Sequence, residues 1–154
     1  MKDYKNIVIE LLGLLGLWGC LGYLGYRVTW VMKIKRFEDL ECWQEARKLV
    51  KMVYEAINKS EKFKKDYRLK EQATDAVISV MSNIAEGFSR QTNKEFMQFL
   101  YISKSSASEV QSIFYVALDL GYINQDVFNK IYNQAEKVSK LNSGLIKYLA
   151  SQPK

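Results

Sequence analysis

Beyond residue 32 this chain runs almost without helix breakers, and that restricts its fold more than any other feature. Proline occurs once, at Pro153, and five of the eight glycines fall between Gly13 and Gly25. Residues 33–154 keep only Gly87, Gly121 and Gly144. Sheets need frequent turns, and turns draw on glycine and proline. A long body nearly lacking both, in a chain with 48% hydrophobic and 26% charged residues, is expected to be globular and all-α.

The apolar residues fall at helical spacing. Trp43, Ala46, Val50, Val53 and Ile57 step by three and four, which predicts a first helix over 40–58 with Glu45, Lys48, Lys51 and Glu55 on its solvent face. Residues 59–70 read as a polar connection holding Phe63 and Tyr67. A second helix over 69–86 has Leu69, Ala73, Ala76, Val77, Val80 and Ile84 inside, and Gly87 stands where a left-handed C′ residue would end it. Thr92 with Glu95 three residues on is a capping-box pattern. It opens a third helix that runs to Leu120 and stops at Gly121. The inner line of that helix is Phe96, Phe99, Ser103, Ser106, Val110, Ile113, Ala117 and Leu120, in heptad register. Its two serines are expected to bond back to the preceding turn. Asn124 caps a fourth helix with Phe128, Ile131, Ala135, Val138, Asn142, Leu145 and Leu149 inside. There, either Asn142 pairs with another buried polar group or the seam shifts to Leu141. Short connections between long helices favour antiparallel neighbours. Residues 33–154 are therefore expected to form an antiparallel up-down four-helix bundle.

Residues 1–32 are a different kind of sequence, an apolar segment expected to add an extra N-terminal helix. From Ile7 to Met32 the only charges are Glu10 and Arg27. The uncharged core, Leu11 to Tyr26, is 16 residues long, against the roughly 20 that a membrane span requires. Lys33, Lys35 and Arg36 follow directly, a flank that would hold the rest of the chain in the cytoplasm. The glycines recur every third residue, so they spiral around a helix instead of forming one GxxxG face. No cleavage signature follows. Three readings stand: a membrane anchor through residues 7–32, a start assigned upstream of the true one at Met32, or a soluble helix that docks on the bundle or in an oligomer.

The residue types narrow the chemistry. Histidine is absent, which removes the commonest general base and metal ligand. Cys20 and Cys42 have no paired spacing. No cofactor or metal is expected. Glu86 and Glu95 flank a turn with Arg90, but a ferritin-like di-metal site needs Glu-x-x-His, so the chain is not expected to be an enzyme. Net charge is +6, which permits an anionic partner without requiring one. Lys62, Lys64, Lys65, Arg68, Arg90 and Lys94 are the candidate phosphate-contacting residues, with Phe63 and Tyr67 interleaved as stacking aromatics. The competing reading of 59–70 is a solvated connection whose two aromatics tuck onto the core. Asn83, Glu86, Gly87 and Arg90 are expected to fix the turn between the second and third helices. Tyr54, Tyr101, Phe114, Tyr115, Tyr132 and Tyr148 exceed what one narrow seam buries, which points to a partner surface.

Several stretches share a family spelling. Phe37, Asp39, Leu40, Trp43, Gln44 and Ala46 give F-x-D-L-x-x-W-Q-x-A. They are followed by Gln72, Ser79, Asn83-Ile84-Ala85-Glu86-Gly87, Arg90, Glu95-Phe96, Phe99-Leu100, Ser106, Glu109 and Leu120-Gly121-Tyr122-Ile123. Over residues 33–149 the chain closely resembles the 23S ribosomal RNA intervening-sequence proteins, which are related to the accessory variability proteins of diversity-generating retroelements. The resemblance implies an antiparallel four-helix bundle and a homo-oligomer, specifically a pentamer. It also implies RNA or a reverse transcriptase complex as partner. The chain departs from the family in two places. Ala73, Thr74 and Asp75 follow Gln72 where members often carry basic residues, and residues 1–32 precede the motif with which members usually begin.

Overall fold

The computed structural model describes residues 34–152. The expectations for residues 7–32 and for the start at Met32 lie outside the described residues. The chain divides between Lys35 and Arg36, and the architecture below is that of the unit beginning at Arg36. A single 3-10 turn, Phe37–Asp39, leads into α1 (Glu41–Lys59). Then come a short α2 (Glu61–Lys65), α3 (Tyr67–Phe88), α4 (Asn93–Asp119) and α5 (Gln125–Ser151). The four long helices form an all-α bundle in which α3 packs on α4, α4 on α5, and α1 on both α3 and α5. Between α3 and α4, Ser79 pairs with Ser106 and Val80 with Ser103; between α4 and α5, Ser103 pairs with Asn142 and Gln111 with the Tyr132 carbonyl, so the contacts descend one helix as they climb the next. Neighbours are therefore antiparallel.

The helix ends follow local chemistry. Thr92 Oγ1 accepts from the Glu95 amide at 3.1 Å, and Glu95 Oε2 accepts from the Thr92 amide at 3.0 Å, which closes the capping box. Asn124 Oδ1 accepts from the Val127 amide at 2.9 Å. At the end of α4, Gly121 adopts φ +65°. Its amide donates to the Leu118 carbonyl and that of Tyr122 to the Ala117 carbonyl, both at 2.9 Å. This is a complete Schellman motif.

Gly87 behaves differently from expectation. It lies inside α3, buried, and Gly121 is the positive-φ glycine of the described residues. The reason for a glycine at 87 is space. A Cβ there would stand 2.7 Å from both Phe96 Cδ2 and Phe99 Cβ. It marks a close crossing of α3 and α4, not a helix stop.

The core also departs from expectation in detail. In α4 the buried line runs through Leu100 and Phe114, while Phe99 and Ile113 are half-buried and Leu120 is exposed. In α1 it runs through Cys42 and Leu49, leaving Trp43 and Val50 half-buried. In α5 it matches the predicted line apart from Ile146, which is buried in place of Leu145. Each shift is one helical position. An apolar stripe about 100° wide admits either neighbour, and packing against two flanking helices selects one.

Polar groups on the seam join helices. Ser103 Oγ donates to the Val80 carbonyl of α3 at 2.7 Å and accepts from Asn142 Nδ2 of α5 at 2.9 Å. Ser106 shares a 2.9 Å hydrogen bond with Ser79. The serines thus bond across helices and not to their own preceding turn. Asn142 is fully buried and takes the first of its two expected roles, pairing with another buried polar group. Its Oδ1 has no hydrogen-bond partner among the described residues. Leaving such an acceptor bare costs stability, while the paired amide ties α5 to one register on α4.

Candidate nucleic-acid interface

The connection expected over 59–70 is mostly helix. Ser60 Oγ caps α2 by accepting from the Phe63 amide at 3.3 Å. Asp66 Oδ1 caps α3 by accepting from the Leu69 amide at 3.0 Å. Asp66 Oδ2 also accepts from the Tyr122 hydroxyl at 3.2 Å, which ties this corner to the α4–α5 turn. Burial and then Asp66 push the Tyr122 phenol up from its ordinary value. The two aromatics split. Phe63 is fully buried, 6.0 Å from Phe114 and 5.7 Å from Tyr122 between ring centroids, whereas Tyr67 is 69% exposed.

The outer surface of this corner is cationic. Residues 59–71 hold six basic residues and three carboxylates, and Asp66 is engaged as a cap. Lys64 pairs with Glu61 at 2.7 Å. Lys62, Lys65 and Arg68 are exposed, and none forms an ion pair among the described residues. Lys70 Nζ lies 4.8 Å from the Tyr67 ring centroid. One corner of the bundle therefore presents an exposed aromatic ring amid several cations.

The structure does not gather all six candidate cations. Arg90 and Lys94 lie beyond the other end of α3, about 30 Å from Arg68 at 1.5 Å per residue. Arg90 pairs with Glu86, and its guanidinium lies 4.6 Å from the Phe99 ring centroid. Glu95 closes the capping box on Thr92. Asn83 lies on the α3–α4 seam, not in the turn. Its Nδ2 donates to the Ser79 carbonyl at 2.7 Å and to Ser79 Oγ at 3.0 Å.

A residue assigned to the solvent face of α1 is instead buried. Glu45 is 6% exposed. It accepts from Lys48 at 2.7 Å and from Gln134 of α5 at 2.8 Å, and Lys137 of α5 stands 3.2 Å away. Burial pushes this carboxyl up. The bonds from Gln134, Lys48 and Lys137 outweigh that and bring it to about 2, from an ordinary 4.5. No local pattern signals this cluster, because Gln134 lies 89 residues away. A carboxyl held down in the fold contributes stability above about pH 4.5 that is lost as pH falls toward about 2. The shift sets a ceiling near 3 kcal/mol. Both lysines are more than half exposed, and solvent screening lowers the expected loss to about 2 kcal/mol. Urea titrations at stepped pH should give a flatter stability curve for Glu45→Gln than for the parent across this window. Parallel curves would sink the assignment.

Fold and site together define a helical-bundle protein with a basic, aromatic-bearing corner. Residues 38–144 match the profile of the 23S rRNA-intervening sequence protein family. The chain belongs to that family. Among solved structures it is similar to a Bacteroides thetaiotaomicron VPI-5482 protein, described as of unknown function and from the S23 ribosomal protein family. The two are 22% identical with a TM-score of 0.59, over 72% of this chain and 98% of the other. At that identity the likeness speaks to the fold alone. No curated protein matches the chain. The family spelling at 37–44 serves the start of α1. Phe37 packs edge-on to Trp43 at 5.1 Å, Asp39 Oδ2 accepts from the Arg36 amide, and Gln44 Nε2 donates to the Glu38 carbonyl. Gln72 is exposed, and nothing in the structure explains it. Among the described residues no helix is long and apolar enough to cross a membrane.

Proposed function

We propose that this protein is a non-enzymatic accessory protein that self-associates and holds RNA, or a ribonucleoprotein such as a reverse transcriptase complex, through basic surface residues. The observation that carries the RNA contact is Tyr67, 69% exposed among Lys62, Lys65 and Arg68. An exposed ring offers a stacking platform for a base, and exposed cations beside it offer sites for phosphates. Self-association is supported by α4 and its C-cap, which leave Tyr101, Ile102, Tyr115, Val116 and Leu120 exposed at 43–57%, an apolar surface that a partner copy would cover. A pentamer is the assembly that the family resemblance implies. Arg90 and Lys94 would form a second, weaker contact at the far end.

Light scattering of the full chain should give about five times the 17.9 kDa of one copy. Fluorescence anisotropy with a labelled single strand should show affinity falling steeply between about 50 and 200 mM salt. Lys65→Ala with Arg68→Ala should flatten that log–log slope by about 1.4, near 0.7 per cation lost. Absence of RNA binding at low salt, together with a protein partner that survives nuclease, would replace this reading with a membrane-tethered protein-interaction module.

A further inference from the structure

The α1–α5 groove opens into a cavity of about 170 Å³ lined by Met52, Glu55, Ala56, Lys59, Val127, Lys130 and Ile131. Pockets for drug-sized ligands begin near 300 Å³, so the space suits a group no larger than one nucleobase. Met52, Ala56, Val127 and Ile131 give it apolar walls that a flat ring can lie against. Lys59 and Lys130, from the two facing helices, are both exposed, and neither forms an ion pair among the described residues. Glu55 is the single carboxylate of the lining, and Lys51 approaches it only to 3.8 Å. A ligand with an apolar planar body, an anionic group for the lysines and an N–H donor for the carboxylate complements these three features together. A nucleotide whose base carries an exocyclic amine has all three.

We propose that this cavity seats one amino-bearing base of a bound RNA strand, with Lys59 and Lys130 on the flanking phosphates and Glu55 accepting from the exocyclic amine. The inference rests on the RNA reading above and extends it. Lys59 is the last residue of α1 and Ser60 caps α2, so the cavity lies beside the corner that bears Lys62, Lys65 and Tyr67. Cytosine and adenine carry the required donor. Uracil has no exocyclic amine, and its one ring N–H lies between two carbonyl oxygens, so bonding through it would bring those oxygens against the Glu55 carboxylate.

The test uses the full chain and three labelled homopolymers of equal length, oligo-C, oligo-A and oligo-U, at low salt. Oligo-C and oligo-A should bind about tenfold more tightly than oligo-U, the effect of one charge-assisted hydrogen bond. Glu55→Gln should abolish that preference, because a carboxamide both donates and accepts. Lys59→Ala with Lys130→Ala should weaken all three ligands and lower the salt slope by about 1.4. Lys65→Ala with Arg68→Ala should weaken all three and leave their ratio unchanged. Circular dichroism on each variant separates lost binding from lost fold. Equal affinity for the three homopolymers, or a preference untouched by Glu55→Gln, overturns the base site and leaves the RNA reading standing. Failure of all three to bind overturns both.

Discussion

Phe63→Ala is expected to lower the free energy of unfolding by about 4 kcal/mol, the usual scale for removing a buried phenylalanine ring. Phe63 is fully buried, as is Phe114, against which its ring packs edge-on. Tyr122 closes the third side. Truncation removes the ring's burial and its aromatic contacts, and leaves a space that Phe114, on a long helix, is poorly placed to fill. A second consequence separates this from an ordinary core deletion. A helix as short as α2, Glu61–Lys65, has almost no stability of its own. Phe63 is the one buried residue that holds it to the bundle. With the ring gone, Lys62 and Lys65 lose their fixed placement, so the RNA affinity proposed for this corner should fall even where the bundle remains folded. Phe63→Leu, which keeps most of the apolar volume, should cost about 1.5 kcal/mol or less. Urea denaturation of the three proteins checks the order. A loss below about 1 kcal/mol for the alanine variant would mean that α2 is not anchored by this ring.

The parts of this fold that were legible in the sequence are those written in local hydrogen bonding. Thr92 with Glu95, Asn124, and Gly121 each satisfy backbone groups within a few residues of themselves. Their types and spacing therefore announced the helix ends before any tertiary contact was known. Long apolar periodicity announced α3 and α5 almost residue by residue. What failed was whatever depends on a distant element. Phe63 sits among lysines in a helix of barely more than one turn, too short for any period to register, and only Phe114 and Tyr122 reveal it as core. Glu45 is flanked on its own helix by Arg47, Lys48 and Glu41, and reads as solvent-facing until Gln134 and Lys137 of α5 are brought against it. Asn83 and Glu86 looked like one device because they are three residues apart. Asn83 bonds back one turn to Ser79, which itself pairs with Ser106 across on α4, while Glu86 pairs one turn on with Arg90. Each candidate cation is visible by itself in the sequence. Their division between two ends of the bundle follows from where α3 starts and stops.

Gly87 makes the same point most sharply, and replacing it should have the second-largest effect on stability. Gly87→Val is expected to cost about 3 kcal/mol. A Cβ at this position meets the Phe96 ring and Phe99 Cβ at 2.7 Å. The Phe96 ring can turn aside, though it is itself 3% exposed and hemmed in. Phe99 Cβ is fixed to the α4 backbone and can withdraw only if α3 and α4 part. Alanine at 87 should gain about 1 kcal/mol of helix propensity over glycine. It should lose about 1–3 kcal/mol to overpacking, for a net cost near 1 kcal/mol. Valine adds two methyl groups at the same point of contact and has no such compensation. Gly144 supplies the control: a Cβ there meets nothing within 4 Å, it lies inside α5, and Gly144→Ala should stabilise the protein by up to about 1 kcal/mol. Denaturation of the three variants should place Gly144→Ala above the parent, Gly87→Ala somewhat below it and Gly87→Val well below. If Gly87→Val is as stable as the parent, α3 and α4 do not cross this closely. The glycine of the N-I-A-E-G spelling would then need another explanation than the space between two helices.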